Sequence, residues 1–162
     1  KKRLEKDFEN YLKRKLIKIQ TETKFLSASH IKKTDYNLNF INYLYKKKIF
    51  SDWIIIGCYY AIYHSALVLL AKKGFSSKKH NSTICALVRL YYLDTEIISE
   101  EDLLLVSNCS LEKEEVSYFV EAKDKRETAS YGISDEFSRK EAEELRTKTI
   151  LFVNKCKEIL GD

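Results

Sequence analysis

The sequence contains no proline and only four glycines in 162 residues. Tight turns depend on these two residue types, and a protein built from many short strands needs many such turns. This shortage argues against a fold dominated by sheet and predicts a small number of long helices. The length suits a single domain with a substantial hydrophobic core.

Cysteine is sparse and unpaired along the chain, at Cys58, Cys85, Cys109 and Cys156, with no CxxC motif. Zinc sites usually carry closely spaced pairs, so we expect no metal site and no cofactor, and we predict reduced thiols in the core. The N-terminus is charged and has no apolar leader run, which together with the thiols predicts a cytoplasmic protein. The GxSxG, GxGxxG, HExxH and P-loop motifs are absent, which disfavours the common enzyme classes that use them.

One long apolar run stands out against this background. Residues 53–71 carry no formal charge, and lysines flank them on both sides. Such a run is long enough to span a membrane, but its three tyrosines and His64 would be awkward in lipid. Amphipathic segments elsewhere in the chain also need an apolar partner to cover them. We therefore predict the central helix of a soluble bundle, without membrane contact.

Apolar residues at three- and four-residue steps predict an all-α, up-and-down bundle of about five helices. Residues 1–24 are assigned to an N-terminal amphipathic helix, part of the bundle or appended to it, and residues 25–162 to the bundle. In the first half we predict a helix at 2–19, a helix at 25–48, and a central helix that begins after an N-cap at Ser51 and stops at Gly74. A loop at 75–81 and a short helix at 82–93 follow. A capping box at Ser99 then opens a helical stretch to about 126, and a second capping box at Ser138 opens the last helix.

Charge is distributed unevenly between the two halves of the chain. Residues 1–80 contain 18 Lys and Arg against 6 Asp and Glu, whereas the net charge of the whole chain is only +5. A basic first half is typical of a surface that faces a polyanion. The alternative is that the two halves pack together and their charges offset each other across the bundle.

An ordered set of motifs lies in and after the central run: YYAIYHSA at 59–66, Lys73-Gly74, and Lys78-Lys79-His80. The segment RETASYG at 126–132 and a final helix opening at Ser138 follow. In these motifs the chain, from about residue 25 to 160, resembles the HEPN domain family, particularly its small stand-alone members. The resemblance implies a helical bundle that usually dimerises. It also implies either metal-independent ribonuclease activity or binding of RNA or nucleotides, in some members beside a nucleotidyltransferase in a toxin–antitoxin pair.

The sequence lacks the catalytic histidine that the ribonuclease members of that family carry. Those members carry an arginine followed four to six residues later by a histidine, and two copies meet at the dimer interface. Arg126 is present here, but Tyr131 stands five residues later and no histidine follows His80. Tyrosine, with a pKa near 10, is a poor general base at neutral pH. Arg126 is thus a candidate catalytic residue without its partner, and enzymatic activity is disfavoured.

The candidate ligand-binding residues are Tyr60, His64, Lys78, Lys79, His80, Arg126 and Tyr131. Each has a structural alternative: His64 as a core or interface residue bonded to a tyrosine, His80 as a helix cap, Arg126 in a solvated ion pair, and Tyr131 as the anchor of a turn. Aromatic side chains beside lysines can stack on bases. Most of the eleven tyrosines have helical spacing, however, and are predicted to lie in the core.

We therefore expect an RNA- or nucleotide-binding protein of the HEPN type without catalysis of its own, as one half of a toxin–antitoxin or nucleotidyltransferase pair. The expected partners are a second copy, meeting through the face that contains the central helix, RNA or a nucleotide, and a nucleotidyltransferase. A ribonuclease that uses Arg126 with a substitute base is the first alternative. A protein-interaction module, in which the charge asymmetry serves self-association, is the second.

Overall fold

The computed structural model of the chain describes residues 2–93, 95, 97–108 and 134–161, with the backbone alone at 134–138. Six α-helices dominate this part of the chain, which confirms the predicted all-α bundle. They are α1 (Lys2–Lys13), α2 (Thr23–Lys47), α3 (Ser51–Lys72), α4 (His80–Leu87), α5 (Glu100–Ser107) and α6 (Ser134–Leu160). One π-helical turn, Val88–Tyr92, continues α4, and two short strands are β1 (Ile17–Ile19) and β2 (Phe75–Ser77).

Helix α3 is the centre of the bundle, packed mainly against α2 and α6. It is long and apolar enough to cross a membrane, yet 67% of its apolar window is buried inside the protein. This burial is that of a core helix surrounded by amphipathic neighbours. Leu69 and Leu70 are fully buried in the main hydrophobic cluster, to which α1 contributes Phe8 and α6 contributes Phe152.

A glycine sets the close approach of α2 to α3. A Cβ atom placed on Gly57 would lie 2.4 Å from Cγ2 of Ile41 and 3.4 Å from Cδ1 of Phe40. Because Ile41 is fully buried, it has little room to move away from an added methyl group. The absence of a side chain at position 57 therefore fixes the register of the helix pair that carries most of the candidate site.

The predicted helix at 2–19 is confirmed as far as Lys13 and wrong beyond it, and the predicted loop at 75–81 is wrong because it contains β2 and the start of α4. Helix α1 ends at Lys13, where Lys15 adopts a left-handed conformation with φ 56°. The chain then forms β1, which pairs antiparallel with β2 in the register Ile17↔Ser77 and Ile19↔Phe75. Ile17 is 1% exposed, so the strand is held by burial of a β-branched residue as well as by the ladder.

The helix ends follow the sequence at some positions and not at others. Ser51 is the first residue of α3 and not its cap; Phe50, with φ 55°, precedes the helix. Gly74 stops α3 as predicted, with φ 84°, a conformation that glycine adopts without strain. The capping box at Ser99 is confirmed. The predicted start at Ser138 is wrong, since α6 begins four residues earlier.

Candidate functional site

The three histidines of the chain lie in one row across three helices. Nδ1 of His30 on α2 lies 3.0 Å from Nδ1 of His64 on α3, and the two rings are stacked with centroids 5.2 Å apart. Tyr63 stacks in turn on His80, the first residue of α4, with centroids 5.7 Å apart. The row His30, His64, Tyr63 and His80 therefore ties α2, α3 and α4 together.

Partial burial favours the uncharged form of the first two imidazoles. Desolvation, followed by the charges of His30 and Lys33, lowers the pKa of His64 from 6.5 to about 4. Desolvation and then Lys33 also lower the pKa of His30. A hydrogen bond between two Nδ1 atoms needs one ring as donor and the other as acceptor, which two neutral imidazoles can provide. The sequence-based alternative of a tyrosine partner for His64 is wrong, because its partner is His30.

The segment at Lys78, Lys79 and His80 is fixed by its backbone, and its lysine side chains are exposed. The N–H of Lys78 donates to the carbonyl of Leu16 at 3.0 Å. The Lys79 carbonyl accepts a hydrogen bond from the Ser82 hydroxyl at 2.8 Å. Nε2 of His80 contacts the Ser107 carbonyl at 3.1 Å, so this ring links α4 to α5 and does not cap its own helix.

The small sheet brings two basic segments of the sequence together. Lys78 lies beside Leu16 through the bond just described, and Lys18 pairs with Ser76 in the ladder. We call the resulting group the basic rim; it consists of Lys13, Arg14, Lys15, Lys18, Lys78 and Lys79. Lys18 is half-buried and the other five are exposed. Within the described residues, none of the six forms an ion pair.

Large aromatic side chains are exposed along the α2–α3 seam. We call this group the aromatic surface; it consists of Tyr36, Phe40, Tyr43, Trp53 and Tyr60, with exposures of 74, 37, 58, 47 and 48%. Residues 36, 40 and 43 share one face of α2, because residues three and four apart are neighbours on a helix. Phe40 lies against Gly57, and residues 53 and 60 lie one turn before and after that glycine. Tyr60, a predicted ligand-binding residue, is therefore accessible.

The sequence reasoning missed part of this arrangement. The prediction that most tyrosines are core residues holds in part: Tyr91 is buried and four others pack partly buried against the core clusters, at positions 11, 45, 59 and 92, whereas Tyr36, Tyr43 and Tyr60 are exposed. His30 lies in no recognisable sequence motif, and its contact with His64 depends on the register of two helices that are distant in the sequence. The spacing of Tyr36, Phe40 and Tyr43 was visible, but the same spacing describes a core face and an exposed face equally well.

Two candidate residues, Arg126 and Tyr131, lie outside the described residues. Within the described part, no group of three or more His, Cys, Asp or Glu side chains is arranged to hold a metal ion. Cys58, Cys85 and Cys156 are free and buried, as predicted, and Cys109 lies outside the described ranges. What the described residues offer is a basic rim, an accessible aromatic surface and a row of histidines that stabilises the helix packing.

Comparison with known proteins shows the family of the chain. The HEPN domain family matches the chain over residues 27–159. The protein named "Putative toxin MJ0142" from Methanocaldococcus jannaschii is 28% identical over 130 residues, which covers 80% of this chain and 78% of that protein. No solved structure matches the chain. Since the family match extends over most of the sequence, as the motif at 59–66 predicts, the chain belongs to the HEPN domain family.

Proposed function

We propose that this chain is an RNA-binding HEPN protein with a toxin–antitoxin-type role, which holds RNA phosphates on its basic rim and does not cleave the RNA itself. The observation that carries the proposal is the basic rim, in which strand pairing and the bond from Lys78 to Leu16 bring two distant basic segments of the chain next to each other. Four of these six residues, at positions 13–18, precede the part of the chain that matches the family, so the rim combines residues before the family domain with residues inside it.

Charge supports a polyanion as the ligand. Cations at short spacing repel one another, and without ion pairs among the described residues that repulsion is offset only by solvent and counterions. A nucleic-acid backbone offers phosphates at regular short spacing and gains affinity from the release of its counterions. The exposed positions of the rim lysines leave them free to follow such a backbone.

The chemistry available to the chain supports binding without cleavage. The ribonucleases that the sequence resembles use a histidine four to six residues after an arginine, and here Tyr131 stands five residues after Arg126. His30 and His64 already use Nδ1 in their mutual contact. Nε2 of His80 is engaged by the Ser107 carbonyl. No histidine therefore follows Arg126 at the spacing that this mechanism uses, and in the described part of the chain each of the three histidines already makes a contact within the protein.

The family and the relative named as a toxin support the proposed toxin–antitoxin-type role. A toxin–antitoxin-type role requires a second protein, and a nucleotidyltransferase remains the predicted partner. A homodimer also remains a prediction, which light scattering of the purified chain would test. Reduced, buried thiols at Cys58, Cys85 and Cys156 are compatible with the proposed cytoplasmic location.

The experiment is a binding titration of fluorescently labelled single-stranded RNA, followed by anisotropy in EDTA at 50 and 200 mM salt. The variant Lys15→Gln/Lys78→Gln/Lys79→Gln removes half of the rim. Its control, Lys6→Gln/Lys140→Gln/Lys148→Gln, removes the same charge from exposed positions elsewhere.

We expect the rim variant to bind the RNA at least tenfold more weakly than wild type at 50 mM salt. The plot of the logarithm of its association constant against the logarithm of salt concentration should be less steep by about 2, since each lost phosphate contact on a single strand accounts for about 0.7. The control variant should stay close to wild type. Equal losses in the two variants would refute the rim as the binding surface. Absence of binding at 50 mM salt would refute RNA binding altogether and favour a protein-interaction module.

A further inference from the structure

We propose that the aromatic surface binds the unpaired bases of single-stranded RNA, so that this chain selects single strands over duplexes. The inference rests on the proposed function and adds the class of RNA and a second surface. It starts from exposure, since five large aromatic side chains along one helix pair are between 37 and 74% exposed. Exposed aromatic residues scattered singly need no explanation, but a contiguous group does.

The charges around the aromatic surface identify its ligand. Lys32 and Lys33 lie one turn before Tyr36 on α2, and Lys46 and Lys47 lie one turn after Tyr43. Two carboxylates adjoin the surface in sequence: Asp35, which forms an ion pair with Lys157 at 2.7 Å, and Asp52, which precedes Trp53 and is half-buried. The aromatic rings thus lie between two pairs of lysines, which is the combination of ring faces and cations that non-specific single-strand binding uses.

The same lysines argue against a second copy of the chain as the occupant of the aromatic surface, so the predicted homodimer would form through a different face of the bundle. Two identical surfaces meeting around a two-fold axis would bring the lysine pairs of both α2 helices into one interface. Charges of like sign facing each other across an interface cost several kcal/mol. A polyanion whose bases reach the rings and whose phosphates reach the lysines has no such penalty.

The dimensions fit a short stretch of RNA. Tyr36 and Tyr43 are seven residues apart on α2, and Trp53 and Tyr60 are seven apart on α3, so each row of rings is about 10 Å long. At the ~3.4 Å spacing of stacked bases in one strand, each row has room for about three bases. A base pair within a duplex keeps both faces stacked on its neighbours and cannot offer them to a protein ring.

The test compares three probes on one protein: a 12-nucleotide single-stranded RNA, the corresponding 12-base-pair duplex, and inorganic polyphosphate, which has the charge of a backbone but no bases. The variant Tyr36→Leu/Trp53→Leu/Tyr60→Leu keeps apolar side chains at exposed positions and removes three rings. Phe25→Leu is the control, because Phe25 is 75% exposed on α2 but lies outside the aromatic surface. Circular dichroism and light scattering of each variant report folding and self-association.

We expect wild type to prefer the single strand to the duplex, and the triple variant to lose at least tenfold in single-strand affinity while its polyphosphate affinity stays within twofold. Unchanged single-strand affinity in a folded triple variant would overturn the inference and leave the proposed function standing. A dimeric wild type that becomes monomeric in the triple variant with unchanged RNA affinity would also overturn it, in favour of a second copy. If wild type binds neither RNA nor polyphosphate, the proposed function itself would be overturned.

Discussion

The pair His30 and His64 makes the free energy of unfolding depend on pH between about 4 and 6.5. In the folded chain the pKa of His64 is lowered from 6.5 to about 4, chiefly by burial and then by the charges of His30 and Lys33. Between these pH values His64 is therefore protonated in the unfolded chain and neutral in the folded chain. The stability that depends on neutral imidazole is complete above pH 6.5 and is lost as the pH falls towards 4.

The magnitude follows from this shift. Between pH 7.5 and 5.0 a group whose pKa falls from 6.5 in the unfolded chain to about 4 in the folded chain accounts for about 2 kcal/mol. His64 is only partly buried, and solvent screening reduces the expected loss to about 1 kcal/mol. The lowered pKa of His30 acts in the same direction. Asp102, whose pKa is lowered from 3.8 by Lys155 and Ser99 against the effect of burial, titrates below this window.

The assay is urea unfolding of wild type and His64→Gln at pH 7.5 and 5.0. Glutamine preserves a hydrogen-bonding side chain that cannot be protonated, so the carboxylates common to both proteins cancel in the comparison. We expect acidification to lower the free energy of unfolding of wild type by about 1 kcal/mol more than that of the variant. Equal losses in the two proteins would refute the assignment of a neutral histidine pair to the α2–α3 contact.

Three further perturbations test the packing that positions the site. Gly57→Ala should lower the free energy of unfolding by about 1–2 kcal/mol, because overpacking against Ile41 outweighs the roughly 1 kcal/mol gained in helix propensity. Thermal unfolding measures this loss, and an unchanged Tm would contradict the close approach of α2 to α3. Ser99→Ala should cost about 1 kcal/mol through loss of the capping box, whereas no change in urea midpoint would contradict that bond. Burial raises the pKa of both Cys58 and Cys85 to about 11, so both thiols should react with an aromatic disulfide reagent far faster in urea than in the native state, and fast native labelling would contradict their burial.

The long elements could be predicted from the sequence because their signals are local. The run at 53–71 is apolar all round, which indicates a helix covered on every side, and α3 is that helix. Gly74 and the capping box at Ser99 each depend on a few neighbouring residues, and both predictions are confirmed. Local chemistry of this kind survives in almost any tertiary setting.

The remaining features could not be predicted because they depend on distant partners. β1 is three residues long and exists through pairing with a strand almost sixty residues later, Ile17 against Ser77, so the continued helical periodicity after Lys13 was misleading. The contact of His30 with His64 needs the register that Gly57 permits. The basic rim depends on the sheet, so the basic composition of the first half of the chain predicted an excess of positive charge without locating it.

The most direct test of the account is the fate of labelled single-stranded RNA incubated with the purified chain in EDTA at 50 and 200 mM salt, analysed on native and denaturing gels beside Arg126→Ala. We predict a shifted complex that weakens steeply with salt, RNA of unchanged length, and no difference in cleavage between wild type and variant. RNA fragments that form in EDTA with wild type and disappear with Arg126→Ala would contradict the account and identify a metal-independent ribonuclease.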